Sequence, residues 1–236
     1  MPFEIADLTR EIGVYIRLVW LFAVIITVLM LLLCYLYLAM RKAIEKESKS
    51  LAFSNLAIEG METERRRVSR ELHDVVLPQV RGMEVYDTIR EICIELMPPD
   101  FSRLSLKDSF VDLCNKFIRH SGTQCAIYID TELDFTPMGV ENQLHLYRIV
   151  QEALTNIEKH AKTEKAVLTA RRGAGESILI CVSNDSALPV SPGTGLGMRS
   201  MEQRAVIIGA RLDFISETGN GFMVRIEIPR LAGNRG

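Results

Sequence analysis

Residues 18–40 run for 23 positions without a charged side chain, the only polar breaks being Thr27, Tyr35 and Tyr37. A helix rising 1.5 Å per residue makes that run about 34 Å long, enough to cross a hydrocarbon core of about 30 Å. A soluble helix of this length would need a polar stripe, and this one has none. A signal peptide would carry a shorter apolar core and a small-residue cleavage site. Here Arg41 and Lys42 follow directly. The run therefore reads as a retained transmembrane helix.

The flanks give its direction. Arg41, Lys42, Lys46 and Lys49 follow the run, against Arg10 and Arg17 before it. By the positive-inside rule the C-terminal part is cytoplasmic, with residues 1–17 a short extracytoplasmic segment. This implies a single-pass membrane protein. Mean hydropathy is +0.13 and 25% of residues are charged, so one anchor added to an ordinary globular part accounts for both. A formal charge of −2 speaks against a direct nucleic-acid binder. Five widely spaced cysteines, none in a CxxC pair, form neither a disulfide framework nor a zinc pattern, and read as reduced thiols.

Residues 41–99 read as helical. Ile44, Leu51, Ile58 and Leu72 fall on a seven-residue repeat that Arg65 interrupts, with Met61, Val68 and Val75 as the companion row. That pattern predicts a parallel coiled coil leaving the membrane, hence a homodimer. The charged run at residues 62–67 reads as its solvated face. A second helix fits residues 86–96, ended by Pro98 and Pro99, with Gly82 in the turn.

From residue 100 the pattern changes. Ser105 and Asp108 have capping-box spacing and open a helix to about residue 120. Residues 140–160 form a long helix with Tyr147, Val150, Leu154 and Ile157 as its buried stripe. Strands fit residues 125–129, 167–171, 178–182, 211–216 and 222–228. Helices on one face of a mainly antiparallel sheet give an α+β, two-layer sandwich over residues 100–236.

Three groups of residues can carry chemistry. His73 is followed by Asp74, and a carboxylate beside an imidazole can hold its tautomer and take its proton as nitrogen attacks an electrophile. Pro78 cannot bond back to residue 74, and the resulting kink would open space beside the ring. Glu152, Asn156, Lys159 and His160 stand at offsets 0, 4, 7 and 8, on one face of the long helix, a set suited to Mg²⁺ and phosphate. Gly193, Thr194, Gly195, Leu196, Gly197 and Met198 stand directly before a helix, where a glycine backbone and a helix N-terminus favour an anion.

Taken in order, residues 65–74 (RRRVSRELHD), 147–161 (YRIVQEALTNIEKHA) and 193–202 (GTGLGMRSME) closely resemble bacterial two-component sensor histidine kinases. The subfamily is the one that includes nitrate sensors and a desaturase-regulating thermosensor kinase. The resemblance implies a helical-hairpin dimerisation and phosphotransfer domain at 41–99. An ATP-binding domain of the gyrase, Hsp90, histidine kinase and MutL superfamily (the Bergerat fold) would follow. It implies that His73 is the phosphoacceptor and Asp74 its acid–base partner. Glu152 would be the catalytic glutamate and Asn156 the Mg²⁺ ligand, with Glu152 beside it. Lys159 and His160 would contact phosphate, and residues 193–198 would surround the triphosphate of ATP. Gly219 and Gly221 match the closing G-x-G turn. The expected partner is a separate response regulator with a receiver domain, and membrane lipid or a membrane protein is the expected input.

This chain departs from that pattern at three places. The adenine-reading Asp aligns with Asn184, followed by Asp185 and by Ser186 where glycine is usual. Pro78 stands where many relatives carry glutamine. His73 and Pro98 lie only 98 − 73 = 25 residues apart, about half the usual hairpin. A second reading therefore stands beside the kinase: a weakly nucleotide-binding pseudokinase acting as a dimeric interaction module.

Overall fold

A computed structural model describes residues 2–101, 103–161, 163–185, 195–217 and 221–229. Helix α1 spans Pro2–Glu71. The chain divides into two compact units, residues 1–54 and 55–236, the described residues of the first all being helical. Within it, Trp20–Lys42 is the one described helix segment long and apolar enough to cross a membrane. Its large apolar side chains, Phe22, Ile26 and Leu31 among them, are exposed, as a lipid-facing helix requires. Thr27 donates its hydroxyl to the Ala23 carbonyl at 2.8 Å, which satisfies it without water. Arg41 lies over the Tyr37 ring at the charged end.

In the second unit α1 ends in a π-helical turn, Leu72–Val76, followed by the short α2, Leu77–Gln79. The cause is Pro78. It has no N–H to give, and the Leu77 N–H reaches back five residues to the Leu72 carbonyl. The expected kink is therefore a π-turn with His73 and Asp74 inside it. Gly82, at φ +87°, turns the chain into α3, Tyr86–Leu96, as the sequence indicates.

The charged run beginning at Glu62 is not simply a solvated face. Glu62 and Ser69 are buried; the Ser69 hydroxyl donates to the Cys93 carbonyl of α3 at 2.8 Å. Ile58, expected in a coiled-coil seam, is also buried within its own chain, whereas Met61 and Val75 of the companion row are exposed.

The sandwich follows the sequence pattern. Helix α4, Leu106–Ser121, starts where the Ser105 hydroxyl accepts from the Asp108 N–H at 3.2 Å, and stops at Gly122, φ +70°. Then come β1 (Gln124–Ile129), α5 (Gly139–His160), β2 (Lys165–Arg172), β3 (Ile178–Asn184), α6 (Leu196–Ile207), β4 (Arg211–Glu217) and β5 (Gly221–Ile228). The sheet order is β1-β2-β3-β5-β4, with β1 parallel to β2 and every other pair antiparallel. The alternate residues Leu168, Ile180 and Ile226 face the helices, where they meet Phe110, Leu146, Ile149 and Leu154 in one core. Each such side chain contributes about 1.5–3 kcal/mol on burial. All five cysteines are free.

Candidate active site

The π-turn presents His73 outward. Its Nδ1 lies 3.0 Å from Asp74 Oδ1, and the two side chains are 66% and 72% exposed. A carboxylate at Nδ1 favours the tautomer with the proton on that nitrogen, which leaves Nε2 pointing away from Asp74. The imidazole is open on that side.

The long helix α5 places Glu152 and Asn156 one turn apart, both half-buried, while Lys159 and His160 are exposed in its last turn. Helix α6 opens after Gly195, whose extended backbone serves as its N-cap. Two motifs far apart in sequence meet here: a Cβ added to Gly197 would overlap the Glu152 carboxylate. Glycine at 197 thus lets a carboxylate rest against the first turn of α6, whose free N–H groups favour an anion. Leu196 is 86% exposed and Met198 half-buried. Gly193, Thr194, Ser186 and Gly219 lie outside the described residues.

Among the described residues no cluster of three His, Cys, Asp or Glu side chains could hold a metal by itself. A Mg²⁺ ion usually takes one or two protein oxygens and completes its shell from phosphate and water. The Asn156 carboxamide, with Glu152 a turn away, provides that number.

At the end of β3, Asn184 and Asp185 separate. Asn184 is buried, and its Oδ1 accepts from the Phe222 N–H of β5 at 3.1 Å. Gly221 makes the approach possible: at φ +87° it lies so close that a Cβ would overlap the Asn184 carbonyl. Asp185 is exposed and bonded to the Thr163 hydroxyl, which holds its carboxyl below the usual carboxylate range. Of the two, Asn184 faces the interior of the sandwich.

A further cluster, unmarked in the sequence, joins α1 to α5 and α6. Glu62 pairs with Arg148 at 3.0 Å and with Arg204 at 2.7 Å, the three side chains being 8%, 2% and 4% exposed. Burial would raise the Glu62 carboxyl, but the two guanidinium charges outweigh it and hold it below its ordinary value. Arg148 also donates to the Glu95 and Leu96 carbonyls at the end of α3, at 3.4 and 3.1 Å, and to Gln151 at 2.7 Å. Arg204 lies 3.1 Å from His145 Nδ1. The helical periodicity of α5 gave no warning that Arg148 is among its buried residues.

An exposed histidine with its own carboxylate, a helix bearing Glu and Asn one turn apart, and a glycine-opened helix on a mixed sheet form an arrangement similar to that of histidine kinases. The comparisons agree with that class. No protein-family model matches the chain. In sequence it is similar to the oxygen sensor histidine kinase NreB of Staphylococcus carnosus, with 25% identity over 207 residues, covering 73% of this chain and 58% of that protein. The chain thus spans a little over half the length of that relative. In fold it is similar to the histidine kinase domain of a blue-light activated histidine kinase from Erythrobacter litoralis. The TM-score is 0.50 at 18% identity, covering 71% of this chain and 93% of that one. The likeness to sensor histidine kinases read from the three motifs therefore extends over most of the chain, and its mixed sheet resembles their ATP-binding domains.

Proposed function

We propose that the protein is a membrane-anchored, homodimeric sensor histidine kinase that phosphorylates His73 from ATP and passes the group to an aspartate of a separate response regulator. The observation that carries this is the exposed His73–Asp74 pair. In the reaction His73 Nε2 attacks the γ-phosphorus, a P–N bond forms, the bond to the ADP oxygen breaks, and the Nδ1 proton passes to Asp74. Asn156 and Glu152 would hold Mg²⁺, which neutralises phosphate charge when bound. Lys159 and His160 offer cationic or hydrogen-bonding groups to the same phosphates, and Gly195 and Gly197 let the α6 backbone approach them. The Trp20–Lys42 helix anchors the chain, with the basic side in the cytoplasm. The input is membrane lipid or a membrane partner.

The test is to incubate the full chain in detergent with γ-labelled ATP and Mg²⁺. Acid-labile label that His73→Gln removes is the expected result. No label on a folded chain, with a control kinase active, would refute the reading. The pseudokinase alternative rests on Asn184, which is uncharged and already bonded to Phe222; it predicts nucleotide binding without labelling.

A further inference from the structure

The five thiols are not equivalent. Cys34 lies in the apolar run, Cys93 is buried on α3, and Cys181 of β3 stands opposite Thr169 of β2. Cys114 of α4 and Cys125 of β1 differ from these because they meet, thiol hydrogen-bonded to thiol. We propose that this pair is a modification site, a dithiol that a hydroperoxide oxidises to a disulfide joining α4 to β1. This chemistry does not depend on the kinase reading above.

The turn between the two elements sets the sulfurs level. Cys114 lies 121 − 114 = 7 residues before the end of α4, about 10 Å back along the helix. Gly122, in the left-handed region at φ +70°, then reverses the chain. Cys125 lies 125 − 122 = 3 residues beyond it, about 10 Å along an extended strand. Side chains alternate along β1, and Cys125, Ile127 and Ile129 are the ones packed against the core. Cys114 belongs to the buried stripe of α4, with Phe110, Leu113 and Phe117. The two thiols therefore enter one interface from facing elements, as a bridge between them requires.

Their reactivity is divided. Cys114 donates its S–H to the Cys125 sulfur. That bond, and then burial, pushes the Cys114 thiol up, while the same bond holds Cys125 below the usual thiol range against burial. Burial pushes Cys93 and Cys181 up instead. Since the thiolate is the reactive form, Cys125 is the attacking sulfur. It is also the accessible one, half-buried where Cys114 is 2% exposed. Half-burial suits a small oxidant. The Cys125 thiolate attacks one hydroperoxide oxygen; an S–O bond forms, the O–O bond breaks, and the second oxygen leaves with the electron pair and takes up the proton that Cys125 lost. The Cys114 sulfur then attacks the Cys125 sulfur. An S–S bond forms, the S–O bond breaks, and the sulfenic oxygen leaves as water with the Cys114 proton. Two thiols lose two electrons, and the hydroperoxide gains them.

The experiment treats the full chain in detergent with hydrogen peroxide, blocks the remaining thiols with N-ethylmaleimide and digests with trypsin without reductant. Lys116 and Arg119 separate the two cysteines onto different peptides. Mass spectrometry should find those peptides joined, two hydrogens lighter than their sum and split by dithiothreitol. They should form roughly tenfold or more faster than the Cys181 thiol is lost, since thiolate content sets the rate. In Cys114→Ser, where no second thiol remains to resolve it, dimedone should trap Cys125 as sulfenic acid, with far less trapped in the parent. If Cys114→Ser does not fold, Cys114→Ala is measured in its place, and the joined peptides of the parent decide by themselves. Separate peptides with Cys125 carried on to sulfinic acid overturn the proposal. So does Cys181 oxidising as fast as Cys125, or Cys125 joining Cys34, Cys93 and Cys181 as readily as Cys114.

Discussion

At the scale of single residues, the end of β3 shows how a substituted binding residue can become structural. The Asn184 oxygen that would accept from adenine already accepts from the Phe222 N–H. A carboxylate has two oxygens, one for each donor, and its charge strengthens both bonds. Asn184→Asp should therefore tighten ATP binding by up to about tenfold, the difference between a neutral and a charge-assisted hydrogen bond, as titration calorimetry would read. Asn184→Ala should weaken binding and leave the buried Phe222 N–H unpaired, at about 1–3 kcal/mol of stability; undiminished ATP affinity would show that the pocket lies elsewhere. Gly221→Ala should destabilise more severely, because its backbone is left-handed and the added Cβ meets backbone rather than a flexible side chain. The sequence could not show that the Asn184 oxygen is occupied, because the donor, Phe222, lies 38 residues away on another strand.

Also at this scale, His145 is a titratable neighbour of the buried Glu62, Arg148 and Arg204 cluster. Burial, and then the Arg204 charge, depress its pKa below the ordinary 6.5, against the weaker pull of Glu62, Glu141 and Glu59. A depressed base contributes stability that is present above its unfolded value and lost as pH falls through its folded one; the depressed Glu62 carboxyl, with an ordinary value of 4.5, loses its contribution in the same direction. Acidification below the ordinary imidazole value of 6.5 should therefore begin to loosen α6 before the sheet, through His145. Hydrogen exchange of residues 199–207, corrected for the intrinsic pH dependence of exchange, would record it. Equal protection at pH 7 and pH 5 would contradict the assignment.

At the scale of elements, the decisive feature is the π-turn. Pro78→Ala restores an N–H that can bond to the Asp74 carbonyl, so the turn should relax to α-helix. The expected outcome is a more stable helix, by about 1–3 kcal/mol against the proline penalty, together with slower His73 labelling, because the ring would rotate relative to its present orientation. Faster labelling would show that the π-turn is incidental. Elements of this kind were readable in advance. Pro78 announced the kink, and Ser105 with Asp108 opened α4. What the helical pattern concealed was the role of Glu62. Seven-residue periodicity assigns apolar residues to contacts and charges to water, and Glu62 stands in a charged run; only Arg148 and Arg204, 86 and 142 residues away, make its burial tolerable.

At the scale of the whole molecule, the same helix divides its faces between two tasks. Glu62 and Ser69 turn toward the chain's own α3, α5 and α6 and Ile58 is buried, which leaves Met61 and Val75, 49% and 52% exposed, for something outside the chain. Their spacing of two heptads is that of a parallel two-stranded seam, in which a residue faces its own copy across the two-fold axis. A single cysteine there meets its twin, whereas one on the outer face does not. In a background with Cys34→Ser, Met61→Cys and Val75→Cys should each give a disulfide-linked dimer on mild oxidation, and Arg66→Cys should remain monomeric on a non-reducing gel. The dimer bands should persist on dilution into excess unlabelled micelles, which distinguishes a specific seam from chance collision. If Arg66→Cys cross-links as readily as Val75→Cys, the seam is wrongly placed, and the exposed apolar row must serve a partner other than a second copy.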